Sequence, residues 1–261
     1  MSLTKASAIV LHSRKQGETS KILQLYSLEY GRISVMVKGS RGLKGKYWGT
    51  LEPLNHIAII FYHKQNRDLY FVSQADLIDR FPGIHKQLGK LTLASIACEI
   101  VNRGEEKEHE NRRLYYYLLQ TLTALNVHES GLRNFLRAFI LKYLALSGFT
   151  PNFGVCSICG KAPINTSCRF SLDKGAVICA TCEPDAFIHC VDIHAPVLHF
   201  LHRLSINEIK SAGIRTVNRE LGDEADRLLF LYLKYHIEHL DQMKSLDYLE
   251  KLKVLMTDSS D

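Results

Sequence analysis

Four cysteines stand in two closely spaced pairs, and their spacing is the strongest chemical signal in this 261-residue sequence. Cys156 and Cys159 lie in "CSIC", and Cys179 and Cys182 lie in "CATC", which together read C-x2-C-x19-C-x2-C. Each pair can form a tight turn that directs two thiolates at one ion, and two such turns complete a tetrahedral site. An all-sulfur donor set favours zinc over magnesium or calcium. The pattern predicts that these four cysteines bind one Zn2+.

The predicted zinc is structural, because four protein ligands leave no open coordination position for a substrate. An insert of roughly 40 residues is too small to build its own hydrophobic core, and a metal can replace that core. Cys168 and Cys190 lie nearby and fit small buried hydrophobic residues better than alternative ligands. The alternative for the four paired cysteines is a decayed site that keeps its thiols but binds no ion.

A second candidate site is the basic, glycine-rich stretch "VMVKGSRGLKGKYWG" at residues 35–49. A phosphate-binding loop of a nucleotide hydrolase reads G-x-x-x-x-G-K-[ST] and opens a helix. Here Gly39 and Gly45 bracket five residues, Lys46 is followed by Tyr47, and no long helical pattern comes next. The sequence also lacks H-E-x-x-H and G-x-S-x-G. We therefore expect no enzyme.

Positive charge is concentrated in the first third of the chain. The formal net charge is +6, and residues 1–79 contain eleven Lys and Arg against six Asp and Glu. A local excess of cations favours a polyanionic partner, nucleic acid first, although a solubilising surface has the same composition. Lys and Arg bind phosphates without reading base sequence, and glycines let the backbone approach closely. For Trp48, packing is favoured over base stacking.

Hydropathy and cysteine usage predict a cytoplasmic protein that does not bind a membrane. No apolar run reaches the ~18 residues that a membrane helix needs. The N-terminal "MSLTKASAIVL" lacks the pattern of a secretory signal. Six of the seven cysteines lie between residues 156 and 190. In a reducing compartment such clustering indicates metal binding and not a disulfide framework.

The first 76 residues predict a small β barrel. Five short runs alternate or are rich in β-branched and aromatic residues, and glycine-rich or polar segments connect them: "SAIVLHS", "KILQLYSLE", "RISVMVKG", "HIAIIFYHK" and "RDLYFVSQAD". Five strands in about 75 residues fit an OB-like barrel.

After residue 80 the apolar period becomes helical. Helical patterns cover residues 88–102, 114–125, 132–144, 196–204 and 221–240. The charged segment "RGEEKEHENRR" reads as an exposed loop, and residues 149–190 read as irregular and cysteine-rich. We expect the helices on either side of the cysteine module to pack together, because each has an apolar face to bury.

These patterns predict an α+β multidomain protein in which an N-terminal five-stranded OB-fold barrel precedes an all-α helical domain with a four-cysteine, zinc-ribbon-like insert. The predicted divisions are a nucleic-acid-binding barrel at 1–79, a helical domain at 80–149 and 191–245, the zinc-binding insert at 150–190 and a C-terminal tail at 246–261.

Several motifs resemble those of the RecO family of bacterial recombination mediators. The N-terminal third contains the "IVL" strand, G-E-x-S at residues 17–20, Y-G-R at residues 30–32 and V-K-G-x-R at residues 37–41. Near the end, "MKSLDYL" at residues 243–249 is similar to a K-S-L-x-x-L family ending. The order of barrel, helical body and cysteine insert also matches that family, and the resemblance spans nearly the whole chain.

The resemblance implies a DNA-repair function. Members of the family bind single- and double-stranded DNA, anneal complementary strands without a known need for ATP, and work in the cytoplasm in association with the nucleoid. They act with RecR and with the single-stranded-DNA-binding protein SSB to help RecA load onto coated DNA. The alternative is an RNA-binding or protein-adaptor module built from the same OB and zinc parts.

The resemblance also assigns DNA contacts residue by residue. Lys38 and Arg41 match the basic pair of the family, and Arg14 lies at the end of the first strand, where a basic residue is usual. Lys44 and Lys46 fall in the matching loop, although the loop here has more glycines than is common in the family. The acidic, hydrophobic C-terminal tail of SSB needs a groove with one or two cations, for which Arg133, Arg137 and Lys142 are candidates.

Overall fold

The computed structural model describes residues 2–40, 47, 49–64, 67–163, 167–182, 189–214 and 217–245. The predicted nucleic-acid contacts Arg41, Lys44 and Lys46, and also Trp48, lie outside the described residues.

The chain divides into two compact units. The N-terminal unit contains Met1–Val127 and the residues from Gln242 onward, and the central unit contains His128–Asp241. The finer boundaries at residues 79, 149, 190 and 245 stay predictions.

The N-terminal unit begins with a closed five-stranded barrel, which confirms the predicted OB-like architecture. Its strands are β1 (Ser2–Gln16), β2 (Ser20–Ser27), β3 (Gly31–Val37), β4 (His56–His63) and β5 (Tyr70–Asp79). They pair in the order β1-β2-β3-β5-β4, and β4 closes the barrel on β1. The β3–β5 pair is parallel, and the other pairs are antiparallel.

Alternation along the strands separates the core from the outer surface. On β3, Ile33, Val35 and Val37 are buried in the barrel core, whereas Ser34 and Met36 between them are half-buried on the outer face. This period of two is what a strand requires when one face covers a core and the other does not. The alternation read from the sequence therefore identifies the inner residues correctly.

Three helices follow the barrel in this unit: α1 (Pro82–His85), α2 (Leu88–Gly104) and α3 (Arg112–Val127). Helix α2 packs on α1, on α3 and on β1. Helix α3 is fixed to the barrel by a hydrogen-bonded triangle, in which the Ser7 hydroxyl, the His56 imidazole Nε2 and the Tyr115 hydroxyl are each 2.9 Å apart. Burial lowers the pKa of His56 below its ordinary value, which favours the neutral imidazole in this triangle.

The loop between α2 and α3 is exposed, as predicted, but it is also bound to the barrel. The backbone N–H of Glu108 donates to the carbonyl of Arg32 at 2.9 Å, and Lys107 forms an ion pair with Asp68 at 2.7 Å. The loop passes so close to Gly31 that a Cβ at this position would lie 1.9 Å from the backbone oxygen of His109. The glycine of the Y-G-R motif is thus required by a backbone-to-backbone contact.

The central unit combines helices with a second sheet. Its elements are α4 (Leu132–Leu146), β6 (Asn152–Cys156), β7 (Ser167–Ser171), β8 (Ala176–Cys179), β9 (Cys190–His194), α5 (Ala195–Ile206), a 3-10 helix (Ile209–Ile214) and α6 (Arg219–His236). The sheet has the order β6-β8-β7-β9. The prediction of irregular structure for residues 149–190 is therefore wrong. Strands of four or five residues are too short to show a clear period in the sequence.

Helices α4, α5 and α6 pack together, which confirms that the helices flanking the cysteine module share a core. A buried ion pair joins α4 to α6: Arg137 Nε lies 2.6 Å from Asp226 Oδ1. Arg137 also donates to the carbonyl of Gly222 at 2.8 Å, and Arg133 pairs with both Asp226 and Asp223. No described helix combines the length and the hydrophobicity needed to cross a membrane.

Substitution of Gly31 tests the contact with the loop, and Gly17 provides a matched control. Both glycines have a left-handed φ, +60° and +59°, but no atom lies within 4 Å of a Cβ added at Gly17. We expect Gly17→Ala to lower the free energy of unfolding by about 1–2 kcal/mol, the cost of a left-handed alanine. Gly31→Ala should lose a further ~1–3 kcal/mol because the loop must move. Urea unfolding measures both; equal losses would contradict the close contact.

Candidate metal centre and nucleic-acid interface

The sulfur atoms of Cys156, Cys159, Cys179 and Cys182 all lie within 4.8 Å of one another. Cys179 Sγ is 3.8 Å from Cys159 Sγ and 3.5 Å from Cys182 Sγ. A tetrahedral zinc site with Zn–S bonds of about 2.3 Å places its sulfurs roughly 3.8 Å apart. The donor set and its spacing therefore fit a four-thiolate zinc ion. The structure brings together all four cysteines that the sequence predicts as metal ligands.

Local backbone structure forms the first thiol pair. Cys156 ends β6, and the turn that follows is closed by a hydrogen bond of 2.9 Å from the N–H of Gly160 to the carbonyl of Cys156. Gly160 has a left-handed φ of +71°, which glycine adopts without strain. The second pair repeats the arrangement at the end of β8, where the N–H of Cys182 donates to the carbonyl of Cys179 at 3.1 Å.

Hydrogen bonds prepare two of the thiols to ionise. The pKa of Cys179 is lowered to about 6, first by the hydroxyl of Thr181, which lies 3.1 Å from Cys179 Sγ, and then by the Thr181 backbone N–H. Burial raises the pKa of Cys156, but backbone N–H groups, including that of Cys179, outweigh this effect and the net pKa is lowered. The pKa of Cys182 rises to about 12, first because of its hydrogen bond with the Cys179 thiol and then because of burial. A divalent cation would let all four ionise together.

The other two cysteines of the module do not belong to this cluster. Cys168 lies on β7 and is buried, and burial followed by the neighbouring thiols of Cys179 and Cys156 raises its pKa. Cys190 begins β9 and is half-buried. The expectation that both behave as small packed residues agrees with their positions in the sheet.

On the barrel, one row of outward residues crosses five strands. The pairing registers place Arg14 opposite Ile22, Ile22 opposite Met36, and Met36 opposite Phe71. The row continues to Tyr62 on β4 and to Leu3 on β1. Directly opposite residues point to the same face of a sheet, so these side chains lie on the outer face of the barrel wall. We call this row, together with Lys38, the barrel strip: Leu3, Arg14, Ile22, Met36, Lys38, Phe71 and Tyr62.

The barrel strip exposes apolar surface beside cations. Tyr62 is 42% exposed and Leu3 is 60% exposed, whereas Ile22 is buried. Lys38 follows the end of β3, and its Nζ lies over the ring of Phe71 at 5.2 Å from the ring centroid. The strip therefore offers aromatic faces and positive charge together, the combination that single-stranded nucleic acids bind.

The structure places two of the five predicted nucleic-acid contacts, Arg14 and Lys38, on this strip, and both are exposed. Sequence reasoning missed Met36, Phe71 and Tyr62. The outward set Ser34, Met36 and Lys38 was visible in the alternation of β3. The parallel β3–β5 pairing that brings Phe71 to Lys38 was not, because no local pattern encodes it.

In the central unit, a cleft of about 660 Å3 lies between β6 and α5. Its lining combines apolar side chains with basic ones: Phe153, Pro196, His199, Phe200, His202, Arg203 and Val217. The three cations proposed from the sequence for a groove are occupied elsewhere. Arg133 and Arg137 bind Asp226, and Lys142 donates to the carbonyl of Ser205 at 2.6 Å. Arg137 is buried in this ion pair and does not reach a partner, whereas the expectation for Arg133 and Lys142 stays a prediction; Arg203 lines the cleft.

The chain belongs to a class of mixed α+β proteins in which an OB-like barrel is followed by a helical body with a four-cysteine cluster. Comparison with known families shows which family within this class it matches. The family model described as "Recombination protein O N terminal" matches residues 1–81, and "Recombination protein O C terminal" matches residues 85–247. The chain belongs to the RecO family of DNA repair proteins.

Curated relatives agree with the family models over the full length. The chain is 29% identical to a "DNA repair protein RecO" of Thermoanaerobacter sp. (strain X514), over 97% of this chain and 99% of the relative. It is 31% identical to the protein of that name in Caldanaerobacter subterraneus subsp. tengcongensis, with the same coverage. A relative from Pelotomaculum thermopropionicum is 32% identical over 96% of this chain and 95% of its own length.

Removal of one ligand tests the metal centre. We expect purified protein to contain about one zinc per chain, and Cys179→Ser to contain almost none, because three thiolates hold the ion weakly. Cys190→Ser is the control, since its thiol lies in the same sheet but outside the cluster, and it should retain the metal. Elemental analysis of freshly purified protein measures the ratio. Zinc-free wild-type protein would contradict the site.

Proposed function

We propose that this protein is a recombination mediator that binds single- and double-stranded DNA, anneals complementary strands and, with RecR, helps to load RecA onto SSB-coated DNA. The barrel strip is the observation that carries the proposal. Membership of the RecO family supports the setting in DNA repair. The mechanism requires no bond making or breaking by the protein, only the holding of two strands close together.

The strip suits an unpaired strand better than a duplex. Phe71 and Tyr62 present aromatic faces to which bases of any sequence can stack, at about 1–3 kcal/mol per base. Bases inside a duplex are already stacked on one another, so they gain little from these faces. Binding without sequence preference is what annealing of arbitrary complementary strands demands.

The cations supply the rest of the affinity. Arg14 and Lys38 lie on the strip at different strands and can contact the phosphates of one backbone. Arg41, Lys44 and Lys46 follow Lys38 in the chain and extend the proposed contact. Each phosphate contact releases counterions, so binding should weaken steeply with salt, for duplex and single strand alike.

The four-cysteine centre has a structural role in this proposal. Cys156, Cys159, Cys179 and Cys182 would hold the ion, which supplies cross-links in place of a hydrophobic core. These four cysteines lie at or just beyond the ends of β6 and β8, so the ion would hold the two strands together. Phe153 on β6 lines the cleft between β6 and α5, so the ion would also fix that wall of the cleft.

The cleft between β6 and α5 is the proposed site for the acidic, hydrophobic C-terminal tail of SSB. Phe153 and Phe200 provide apolar surface for the hydrophobic side chains of the tail. Arg203 provides the positive charge that its carboxylates require, and His202 lies beside it in the lining. Charge complementarity of this kind speeds association and suppresses wrong partners.

Aromatic substitution on the strip separates stacking from charge. We expect Phe71→Ala to weaken oligo(dT) binding by roughly 1–3 kcal/mol, with little change in the salt dependence, because a stacking partner is lost. Arg14→Ala with Lys38→Ala should instead reduce the salt slope by about 2, one for each lost phosphate contact. Fluorescence anisotropy from 50 to 200 mM salt, roughly, gives both quantities.

Matched controls come from exposed side chains of the same unit that lie off the strip. Tyr116 on α3 is 46% exposed, and Lys86 follows α1 and is exposed. Tyr116→Ala and Lys86→Ala should bind DNA like the wild type. Equal effects of Tyr116→Ala and Phe71→Ala would remove the strip from the proposal, and tighter binding of structured RNA than of DNA would favour an RNA-binding protein.

An annealing assay tests the mediator function. Complementary oligonucleotides coated with SSB should anneal faster with this protein, in the absence of ATP. Arg203→Ala should lose this acceleration on coated strands and keep it on bare strands, because the substitution removes a tail contact and leaves the barrel strip intact. A protein that accelerates neither reaction is not a strand-annealing mediator.

A further inference from the structure

Cys168 is a fifth thiol of the metal module, and it lies directly opposite one of the four clustered cysteines. In the antiparallel pairing of β7 with β8, Cys168 is the partner of Cys179, and Phe170 is the partner of Val177. Directly opposite residues share one face of a sheet. Cys168 and Phe170 are buried, whereas Arg169 between them is exposed. The Cys168 side chain therefore lies on the same face as that of Cys179.

The backbone hydrogen bond of Cys179 indicates how close the two cysteines come. Its N–H donates to Cys156 Sγ at 3.4 Å, and Cys156 belongs to β6, on the other side of β8 from β7. A residue whose N–H turns away from the partner strand forms a non-hydrogen-bonded pair, in which the Cα atoms are about 4.5 Å apart. Disulfides span Cα distances of about 4.4–6.8 Å. The pair therefore fits a cross-strand disulfide.

We propose that Cys168 and Cys179 form a reversible disulfide when the protein meets hydrogen peroxide, and that this bond opens the metal centre. The disulfide is argued from the strand register and from the direction of the Cys179 N–H, without any metal. Its effect on metal binding rests on the proposed zinc centre, because Cys179 is one of the four thiols that would hold the ion. The module would then join DNA-repair function to the oxidative conditions that damage DNA.

The chemistry balances with one peroxide for each disulfide. The Cys179 thiolate attacks one peroxide oxygen, the O–O bond breaks, and Cys179 becomes a sulfenic acid while hydroxide leaves and takes up a proton. The Cys168 thiol then loses its proton and attacks the Cys179 sulfur, which forms the S–S bond and releases a second water. Two electrons pass from the thiols to the peroxide. A small dithiol reverses the reaction by thiol–disulfide exchange.

Pairs within the cluster are the competing products, since Cys179 Sγ is 3.5 Å from Cys182 Sγ. A disulfide between two clustered cysteines would remove two metal ligands at once. The bond to Cys168 removes one ligand and leaves Cys156, Cys159 and Cys182 in place. The cross-strand product therefore disturbs the module least and can be reversed without rebuilding it.

Peptide mapping of the full-length protein tests the proposal. Zinc is measured first; the protein is then treated with hydrogen peroxide, and the remaining thiols are alkylated. Trypsin cuts after Arg169 and Lys174, between the two cysteines, so their peptides stay linked only through the disulfide. We expect the Cys168–Cys179 link in fragment-ion spectra, its loss after treatment with dithiothreitol, and metal release, followed with a chromogenic chelator, in step with its formation.

Two variants complete the experiment. Cys168→Ala should contain as much zinc as the wild type and should release it several-fold more slowly in peroxide. Cys190→Ser is the matched control, since Cys190 lies opposite Ser171 at the far end of β7, and it should behave like the wild type. Mapping of the wild type remains decisive if Cys168→Ala does not fold.

Two results would overturn the proposal. One is a disulfide confined to the four clustered cysteines, with Cys168 alkylated in full. The other is metal release from Cys168→Ala at the wild-type rate. If the purified wild type contains no zinc, the metal centre fails, and the peptide map still decides whether Cys168 and Cys179 join.

Discussion

Strand β1 is shared between two partner strands, and the outer surface of the barrel depends on this sharing. Its first half pairs with β4 from Ser2 to Ile9, and its second half pairs with β2 from Ala8 to Gln16. A register shift between Val10 and His12 lets one strand of 15 residues bend around the barrel. The closure gives each described barrel strand two neighbours and fixes which residues of the other strands face outward. A slip of one residue in β1 would turn Arg14 into the core and break the barrel strip.

The central unit meets a different constraint, because its second sheet is built from strands of only four or five residues. Phe153 and Phe170 stack with centroids 5.4 Å apart, and the four-cysteine cluster closes the end of the sheet. Between α4 and α6 the unit buries a charge: Arg137 is 3% exposed and is bound by Asp226 and Gly222. Such a pair is costly to break, since the remaining charge would lie buried and unpaired. Cations in this position serve the fold and are not available to a partner.

The sequence predicts the parts that depend on local spacing. The cysteine pairs, the five barrel strands and the helical periods all follow from residues within a few positions of one another. The structure agrees with them, except that the last helix ends at His236 and not at residue 240. It does not predict the strip, because the β3–β5 pairing that brings Phe71 to Met36 joins residues 35 positions apart. The same limit applies to Arg137. The helical period of the apolar residues around it predicts that Arg137 lies on a helix, but no local pattern shows that Asp226 of α6 lies opposite. Long-range register and buried pairing come from packing, which a single sequence does not display.

The contact between Lys38 and Phe71 couples the two kinds of binding that the proposed function needs. In the structure the ammonium lies over the ring, an interaction of about 0.5–1 kcal/mol at an exposed site. A base that stacks on Phe71 must displace Lys38, and it gains about 1–3 kcal/mol in doing so. In the proposed complex the displaced ammonium would pair with a phosphate of the bound strand. A duplex, whose bases would not reach the ring, would leave Lys38 in place and contact the remaining cations. On this proposal the strip would favour single strands, because one weak interaction is exchanged for two.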